Sequence, residues 1–278
     1  MLARTHGDDG FTGADPRTER EDVRGPRGGR PGHRLALHPS RSFQPAKLAR
    51  AMRVRPADPG AISGAVAGVS FIGGVAGAMA RSEHPYPRPG STGPEIRRYF
   101  TQASRAPRIS IAGQLVSAAS LARFTASVTR LAGRAGPGSR ALQAVAVTGG
   151  AIAVAGLAAS AATAAALTTG RSEDPEHAVR LARRAFLAGG PIHGVGFGLL
   201  VGALGSAGLR TRELPRAVSL TALASVAPNL LGPLYLLAEP AGWFIPAGRF
   251  PGLIVAGIAG ARLSRPAHLG LVGRRMRA

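Results

Sequence analysis

The chain has 278 residues, 45% of them hydrophobic, and its 35 Lys and Arg residues outnumber 14 Asp and Glu residues to give a formal net charge of +21. It contains no cysteine, which excludes disulfide bonds, thiolate metal sites and cysteine nucleophiles. The seven histidines lack the spacings that place metal ligands on one helical face, so we expect no metal and no other cofactor.

The N-terminal residues 1–56 are rich in Arg, Gly, Pro and Asp and show no apolar periodicity, which predicts a disordered basic segment. A basic arm can bind nucleic acid, but acidic residues are mixed into this one and aromatic residues are not interleaved for base stacking. We therefore expect no nucleic-acid partner. In an alternative interpretation, translation begins at Met52, because Arg53 and Arg55 then form a short basic leader before the first apolar run.

The first apolar run covers residues 61–80, twenty residues without a charge. At about 1.5 Å per residue, a helix of this length spans the roughly 30 Å hydrocarbon layer of a membrane. The run therefore predicts a first transmembrane helix. A cleaved signal peptide is the alternative, because basic residues precede the run and Ala78, Met79 and Ala80 have the pattern of a cleavage site.

A polar, proline-rich stretch follows, and a less apolar second span comes after it. Thr92 and Glu95 have the spacing of a capping box and predict a short helix over residues 95–103, lying either at the headgroup level or in a solvated loop. The second span is predicted over residues 109–128, where the only charge is Arg123. Because Arg123 lies near the end of the run, its long side chain can reach the membrane surface.

Four further runs complete the predicted spans. Residues 141–169, 185–209 and 217–238 carry no charged side chain, and each run is long enough to cross a membrane. The sixth run, residues 242–261, contains Arg249 and begins with aromatic residues, which are typical of the membrane–water interface.

Together these runs predict an all-α fold, a polytopic bundle of six transmembrane helices over residues 57–263 with a basic tail over residues 264–278. The predicted location is the cell membrane, with the lipid bilayer as partner. If the spans alternate in direction, 24 Lys and Arg residues lie on the side of the N-terminus and 10 on the other side. The positive-inside rule then places both termini in the cytoplasm.

Glycines recur at intervals of four in the fourth span, at Gly190, Gly194, Gly198 and Gly202. This spacing lines one face of a helix with glycine and lets another backbone approach closely. The glycine seam predicts helix packing within the bundle, and a homo-oligomer contact is the more specific alternative. The first span repeats the pattern less regularly.

Polar side chains inside the spans indicate one candidate site. His193, Asn229 and Arg249 are predicted to lie about 10 to 14 Å below the outer surface, in one layer. Arg249 would hold an anion there or pair with Glu239, and prolines in the same spans free backbone carbonyls that protein or a water-filled cavity must satisfy. The alternative is that His193 and Asn229 bond across helices while Arg249 reaches outward to the surface.

The spans offer no catalytic pair. None of the six runs contains Asp or Glu, which argues against carboxylate-coupled transport and aspartyl protease chemistry. A serine nucleophile needs a base within reach, and no such pair is recognisable. We therefore expect a protein that is not an enzyme.

Three segments carry a resemblance to known sequences: RLARRAFLAGGPIH at residues 180–193, LYLLAEPAGW at residues 234–243 and GRFPG at residues 248–252. In these segments the chain resembles uncharacterised multi-pass membrane protein families of high-GC actinobacteria. The resemblance covers residues 61–263 and implies a helical membrane domain without implying an activity.

Two functions follow as hypotheses. The first is a structural or sensory helix bundle whose polar layer serves packing. The alternative is a permease or channel-like protein that admits a small anionic solute from outside into a polar pocket.

Overall fold

The structure is a computed structural model that describes residues 57–88, 90–102, 105–169 and 174–266. The predicted disordered segment and most of the predicted basic tail lie outside the described residues. Within the described part, every regular element is a helix and no strand occurs. The prediction of an all-α helix bundle is therefore confirmed.

Nine α-helices occur in the described residues. They are α1 Ser63–Arg81, α2 Gly93–Arg97, α3 Arg105–Gly133, α4 Ser139–Thr168, α5 Pro175–Leu187, α6 His193–Thr211, α7 Arg216–Ala224, α8 Val226–Leu231 and α9 Phe244–Leu263. Shorter turns link them: π-helical turns at Arg98–Gln102 and Ala188–Ile192, and 3₁₀ turns at Gly232–Leu236 and Glu239–Trp243.

Five helical stretches are long and apolar enough to cross a membrane. They are Ser63–Arg81, Ser139–Thr168, Pro175–Thr211, Arg216–Leu236 and Glu239–Leu263. The predicted second span lies within α3, which is continuous over 29 residues but is not among these five. Charged and polar residues, among them Arg108, Gln114 and Arg123, lower the apolar character of α3.

Local sequence signals explain where two of the helices begin. The capping box before α2 is present, with the Thr92 backbone N–H donating to Glu95 Oε2 at 2.8 Å. Asp174 caps α5 by accepting hydrogen bonds from the backbone N–H groups of Glu176 and His177. The fourth apolar run is thus entered through a polar helix that starts at Pro175, ten residues before the predicted span.

The long stretches alternate in direction. Asp58, just before α1, donates its backbone N–H to the carbonyl of Leu263 at the end of α9 at 3.0 Å, and we call this the terminal end of the bundle. Arg134 after α3 pairs with Glu213 after α6 at the same end, with 2.9 Å between Nε and Oε1. The first and last helices therefore meet at one end, as an even number of alternating stretches requires.

The opposite end carries all three tyrosines of the chain, and we call it the tyrosine end. The rings of Tyr86 and Tyr99 lie 5.4 Å apart, and Tyr235 lies 5.2 Å from Phe186. Trp243, which precedes α9, is 80% exposed at this end. Aromatic side chains at the ends of apolar helices are typical of a membrane–water interface.

In the bundle α1 packs on α3, α3 on α4, α4 on α6, and α6 on α7 and α8. The last helix, α9, packs against α1. The helix α6 is central, because it also contacts α3 and α9. Close packing depends on small residues: a Cβ on Gly113 of α3 would lie 2.6 Å from the backbone oxygen of Ser70 in α1. Van der Waals contact of this kind drives helix association where no hydrophobic effect operates.

Candidate functional site: the Arg249 cavity

Arg249 lies in α9 and reaches the π-helical turn between α5 and α6. Its Nη2 donates to the carbonyl of Gly189 and, at 3.2 Å, to that of Gly190. In this turn the His193 N–H is directed to the carbonyls of Ala188 and Gly190, so it does not serve Gly189 as it would in a regular α-helix. The guanidinium thus supplies a donor to a carbonyl that the turn has freed.

The Arg249 guanidinium packs against a stack of aromatic rings. The Arg249 guanidinium carbon lies 5.0 Å from the ring centre of Phe71 in α1. Phe71 and Phe197 lie nearly parallel to the ring of His193, with centroid distances of 6.4 and 5.6 Å. A cation over an aromatic face is stabilised by the ring quadrupole, so the stack fixes the position of Arg249.

His193 is buried, and its Nδ1 lies 2.9 Å from the carbonyl oxygen of Ala153 in α4. A carbonyl only accepts, so we infer that Nδ1 carries the hydrogen. This bond ties α6 to α4 and orients the ring within the stack.

A cavity of about 310 Å³ opens beside Arg249 at the tyrosine end. Its walls come from α1, α3, α4, α5 and α9 together with the segment that links α1 to α3 and the π-helical turn between α5 and α6. Most of the lining is apolar, with Phe71, Met79, Leu157, Phe186 and Ile245 among the larger side chains.

The polar groups of the cavity are few and partly unpaired. Arg249 Nε and Gln114 Oε1 are buried and have no hydrogen-bond partner among the described residues. The Gln114 amide nitrogen donates to Ser110 Oγ at 3.4 Å, and Ser160 of α4 also lines the cavity. Both residues line the cavity, although these two unpaired atoms are themselves shielded from it by their neighbours.

Tyr99 contributes a further polar group to the wall. It is buried at the end of the short α2 segment, and burial, aided by the neighbouring Tyr86, raises the pKa of the Tyr99 phenol to about 12. The phenol therefore stays protonated well above neutral pH, and a protonated phenol can donate a hydrogen bond.

The structure does not form the Arg249–Glu239 pair that the sequence allowed. Glu239 is exposed in the turn before α9 and borders a separate cavity of about 470 Å³. The ion pairs among the described residues join other side chains: Arg130–Asp58, Arg134–Glu213, Arg180–Asp174 and Arg180–Glu176. Within the described part of the chain, the Arg249 guanidinium has no carboxylate partner.

Asn229 is buried beside the cavity and does not line it. Its Nδ2 donates to the backbone oxygen of Ser225 at 2.8 Å, while its Oδ1 has no partner among the described residues. A Cβ on Gly248 would lie 2.6 Å from the Asn229 backbone nitrogen, so a glycine is needed beside Asn229. Of the predicted polar layer, the structure joins Arg249 and His193 through Phe71 and leaves Asn229 and Glu239 apart.

The glycine seam faces the same chain. Cβ atoms on Gly194, Gly198 and Gly202 would point at Asn229 or Val226 of α8. Gly190 lies near Phe186 and Ile245 and offers its carbonyl to Arg249. The seam packs within the bundle, and the homo-oligomer contact stays a prediction.

No family model, curated protein or solved structure matches this sequence. Function must therefore be argued from the cavity itself.

Sequence reasoning missed several residues of the cavity wall. Phe71 is the only aromatic residue of the first apolar run, and Gln114 is the only amide of the second. Each residue differs in type from the rest of its run, and this difference could have marked it as a candidate site residue. Gly189 carried no signal, because its role follows from the π-helical turn.

Proposed function

We propose that this chain is a non-enzymatic, multi-pass membrane protein with a permease-like role, binding a small organic anion in the Arg249 cavity from the tyrosine end. One observation carries the proposal: Arg249, which has no carboxylate partner among the described residues, lines a cavity of about 310 Å³. The cell membrane as location and the likeness to actinobacterial membrane families belong to the same proposal.

The charge of Arg249 is the first reason. An arginine at the centre of a membrane helix costs about 2.5–3.5 kcal/mol on insertion scales. The carbonyls of Gly189 and Gly190 and the ring of Phe71 reduce this cost, but they are dipoles and a quadrupole without net charge. An anion in the cavity that Arg249 lines would neutralise the guanidinium, whose Nε has no hydrogen-bond partner among the described residues.

The rest of the cavity sets the kind of anion. The lining is mostly apolar, which favours a solute with an apolar body over an inorganic ion. Gln114 lines the cavity and its Oε1 has no partner among the described residues, so a turn of the amide toward the cavity would let it pair with a solute that carries an additional N–H or O–H group. At about 30 Å³ per water, the volume corresponds to about ten water molecules, the size of a small monocarboxylate.

A separate observation favours the alternative hypothesis, in which the polar layer serves helix packing. Arg249 bonds the Gly189 carbonyl that the π-helical turn frees, and His193 joins α6 to α4. In that case Arg249 would stabilise the bundle without binding a ligand.

A thermal unfolding assay of the purified protein in detergent separates the two functions. The probes are acetate, hexanoate, benzoate and indole-3-acetate, each compared with its neutral amide. A ligand at a hundred times its dissociation constant stabilises by about 2.7 kcal/mol, so we expect at least one carboxylate to raise the unfolding temperature and its amide to have no effect.

Arg249→Gln is expected to abolish the shift, and Arg249→Lys, which keeps the charge, to weaken it. Arg98→Gln is the matched control, because it removes an exposed charge at the same end and outside the cavity. If no carboxylate has an effect while Arg249→Gln still lowers the unfolding temperature, the structural hypothesis replaces the proposed function.

A further inference from the structure

A second charged feature lies at the terminal end, far from Arg249. It is a groove of about 540 Å³ lined by Ala57, Asp58, Pro59, Gly60, Arg123, Ala126, Arg130 and Arg134. We call it the basic groove. Arg123 and Arg130 lie seven residues apart on one face of α3, and Arg134 follows directly after the end of that helix.

The groove keeps an excess positive charge after its ion pairs are formed. Both Nε and Nη2 of Arg130 donate to the Asp58 carboxylate at 2.8 to 3.1 Å. Arg134 donates to Glu213 at 2.9 Å. Arg123 is exposed and has no acidic partner among the described residues.

Asp58 stays ionised in this arrangement. Burial raises the pKa of the Asp58 carboxyl, but the hydrogen bonds and the charge of Arg130 outweigh burial, so that the pKa lies below its usual value. The groove is therefore a fixed ion pair with a free guanidinium beside it.

The position of Arg123 along α3 decides the kind of ligand. Arg123 lies seven residues, about 10 Å, before Arg130, which meets Asp58 at the level where α1 begins. The Arg123 backbone thus lies inside the apolar layer, while its side chain borders the groove at the terminal end. An arginine in this position extends to the interface, where lipid phosphates lie.

The helices that border the groove expose apolar side chains to the surroundings. Ile62, directly before α1, and Val66 of α1 are 45% and 42% exposed, and Leu115 and Val116 of α3 are each 49% exposed. Such surfaces suit acyl chains, which a free phosphate ion lacks.

We propose that the basic groove binds the phosphate of an anionic phospholipid, with Arg123 as its free cationic contact. The chemistry is a phosphate that accepts hydrogen bonds from guanidinium groups, and basic pockets at membrane helix ends are known lipid-headgroup sites. The proposal is independent of the Arg249 cavity at the opposite end.

Native mass spectrometry of the detergent-purified protein tests the site, with phosphatidylglycerol and phosphatidylcholine as probes. We expect phosphatidylglycerol to be retained in preference, and Arg123→Gln to weaken its binding by about fivefold, the effect of one basic residue near a membrane surface. Arg140→Gln is the matched control, because it removes an exposed charge at the start of α4 outside the groove. It should leave lipid retention unchanged.

Competition with inorganic phosphate distinguishes a lipid phosphate from a free phosphate ion as the ligand of the basic groove. Phosphate at millimolar concentration should not displace phosphatidylglycerol. The proposal is overturned if phosphate displaces the lipid, if both lipids are retained equally, or if Arg140→Gln has the same effect as Arg123→Gln. The unfolding temperature of Arg123→Gln is measured beside the lipid binding. A value equal to that of the wild type will show that weaker binding does not come from a misfolded variant.

Discussion

The polar side chains around the cavity donate mainly to backbone carbonyls. Arg249 bonds Gly189 and Gly190, His193 bonds Ala153, and Asn229 bonds Ser225. Residue depth could be predicted from position along each span, because the rise per residue is fixed. The direction of each side chain around its helix could not, since it depends on which neighbours the bundle supplies.

Phe71 is the residue on which the stack depends, because it contacts both Arg249 and His193. We expect Phe71→Leu to lower the free energy of unfolding by about 1–2 kcal/mol through loss of the cation–π and ring contacts. It should also weaken carboxylate binding. Unfolding of the purified variant in detergent measures the first effect.

Phe250→Leu is the matched control for that variant. Phe250 follows Arg249 in α9 and is 47% exposed, so the same change there should stay within about 0.5 kcal/mol of wild type. Equal effects of the two variants would contradict the role given to Phe71.

At the scale of helices, glycine positions decide which faces meet. The first span offers several glycines, and sequence spacing alone cannot choose between adjacent ones, because the contacting face is set by the neighbouring helix. In the structure Gly64, Gly68 and Gly74 point at α3 or α9, while Gly73 points into open space. Apolar length predicted the helices well, but it did not locate the π-helical turn that Arg249 serves.

Gly74→Ala and Gly73→Ala test this packing with the same change at adjacent positions. A Cβ on Gly74 would lie 2.9 Å from the Gly113 Cα, and one on Gly73 has no atom within 4 Å. We expect Gly74→Ala to lower the free energy of unfolding by about 1–3 kcal/mol, as overpacking does, and Gly73→Ala to leave it unchanged or raised. The reverse order would show that α1 and α3 meet on another face.

At the scale of the whole molecule, the contact of Asp58 with Leu263 shows that the first and last helices meet at one end of the bundle, as six alternating stretches require. The sequence predicted this arrangement from six charge-free or nearly charge-free runs. Five stretches have the apolar character of a membrane span, and α3, which lacks it, packs between α1 and α4. Which end faces the cytoplasm rests on the positive-inside rule.

Cysteine labelling of intact cells tests the six-pass arrangement most directly, because the chain has no cysteine of its own. We predict that a membrane-impermeant thiol reagent labels Glu83→Cys and Ala238→Cys at the tyrosine end from outside. Arg140→Cys and Arg216→Cys at the terminal end should be labelled only after permeabilisation. Labelling of Arg140→Cys from outside together with Glu83→Cys would show that α3 does not cross the membrane and would contradict the account.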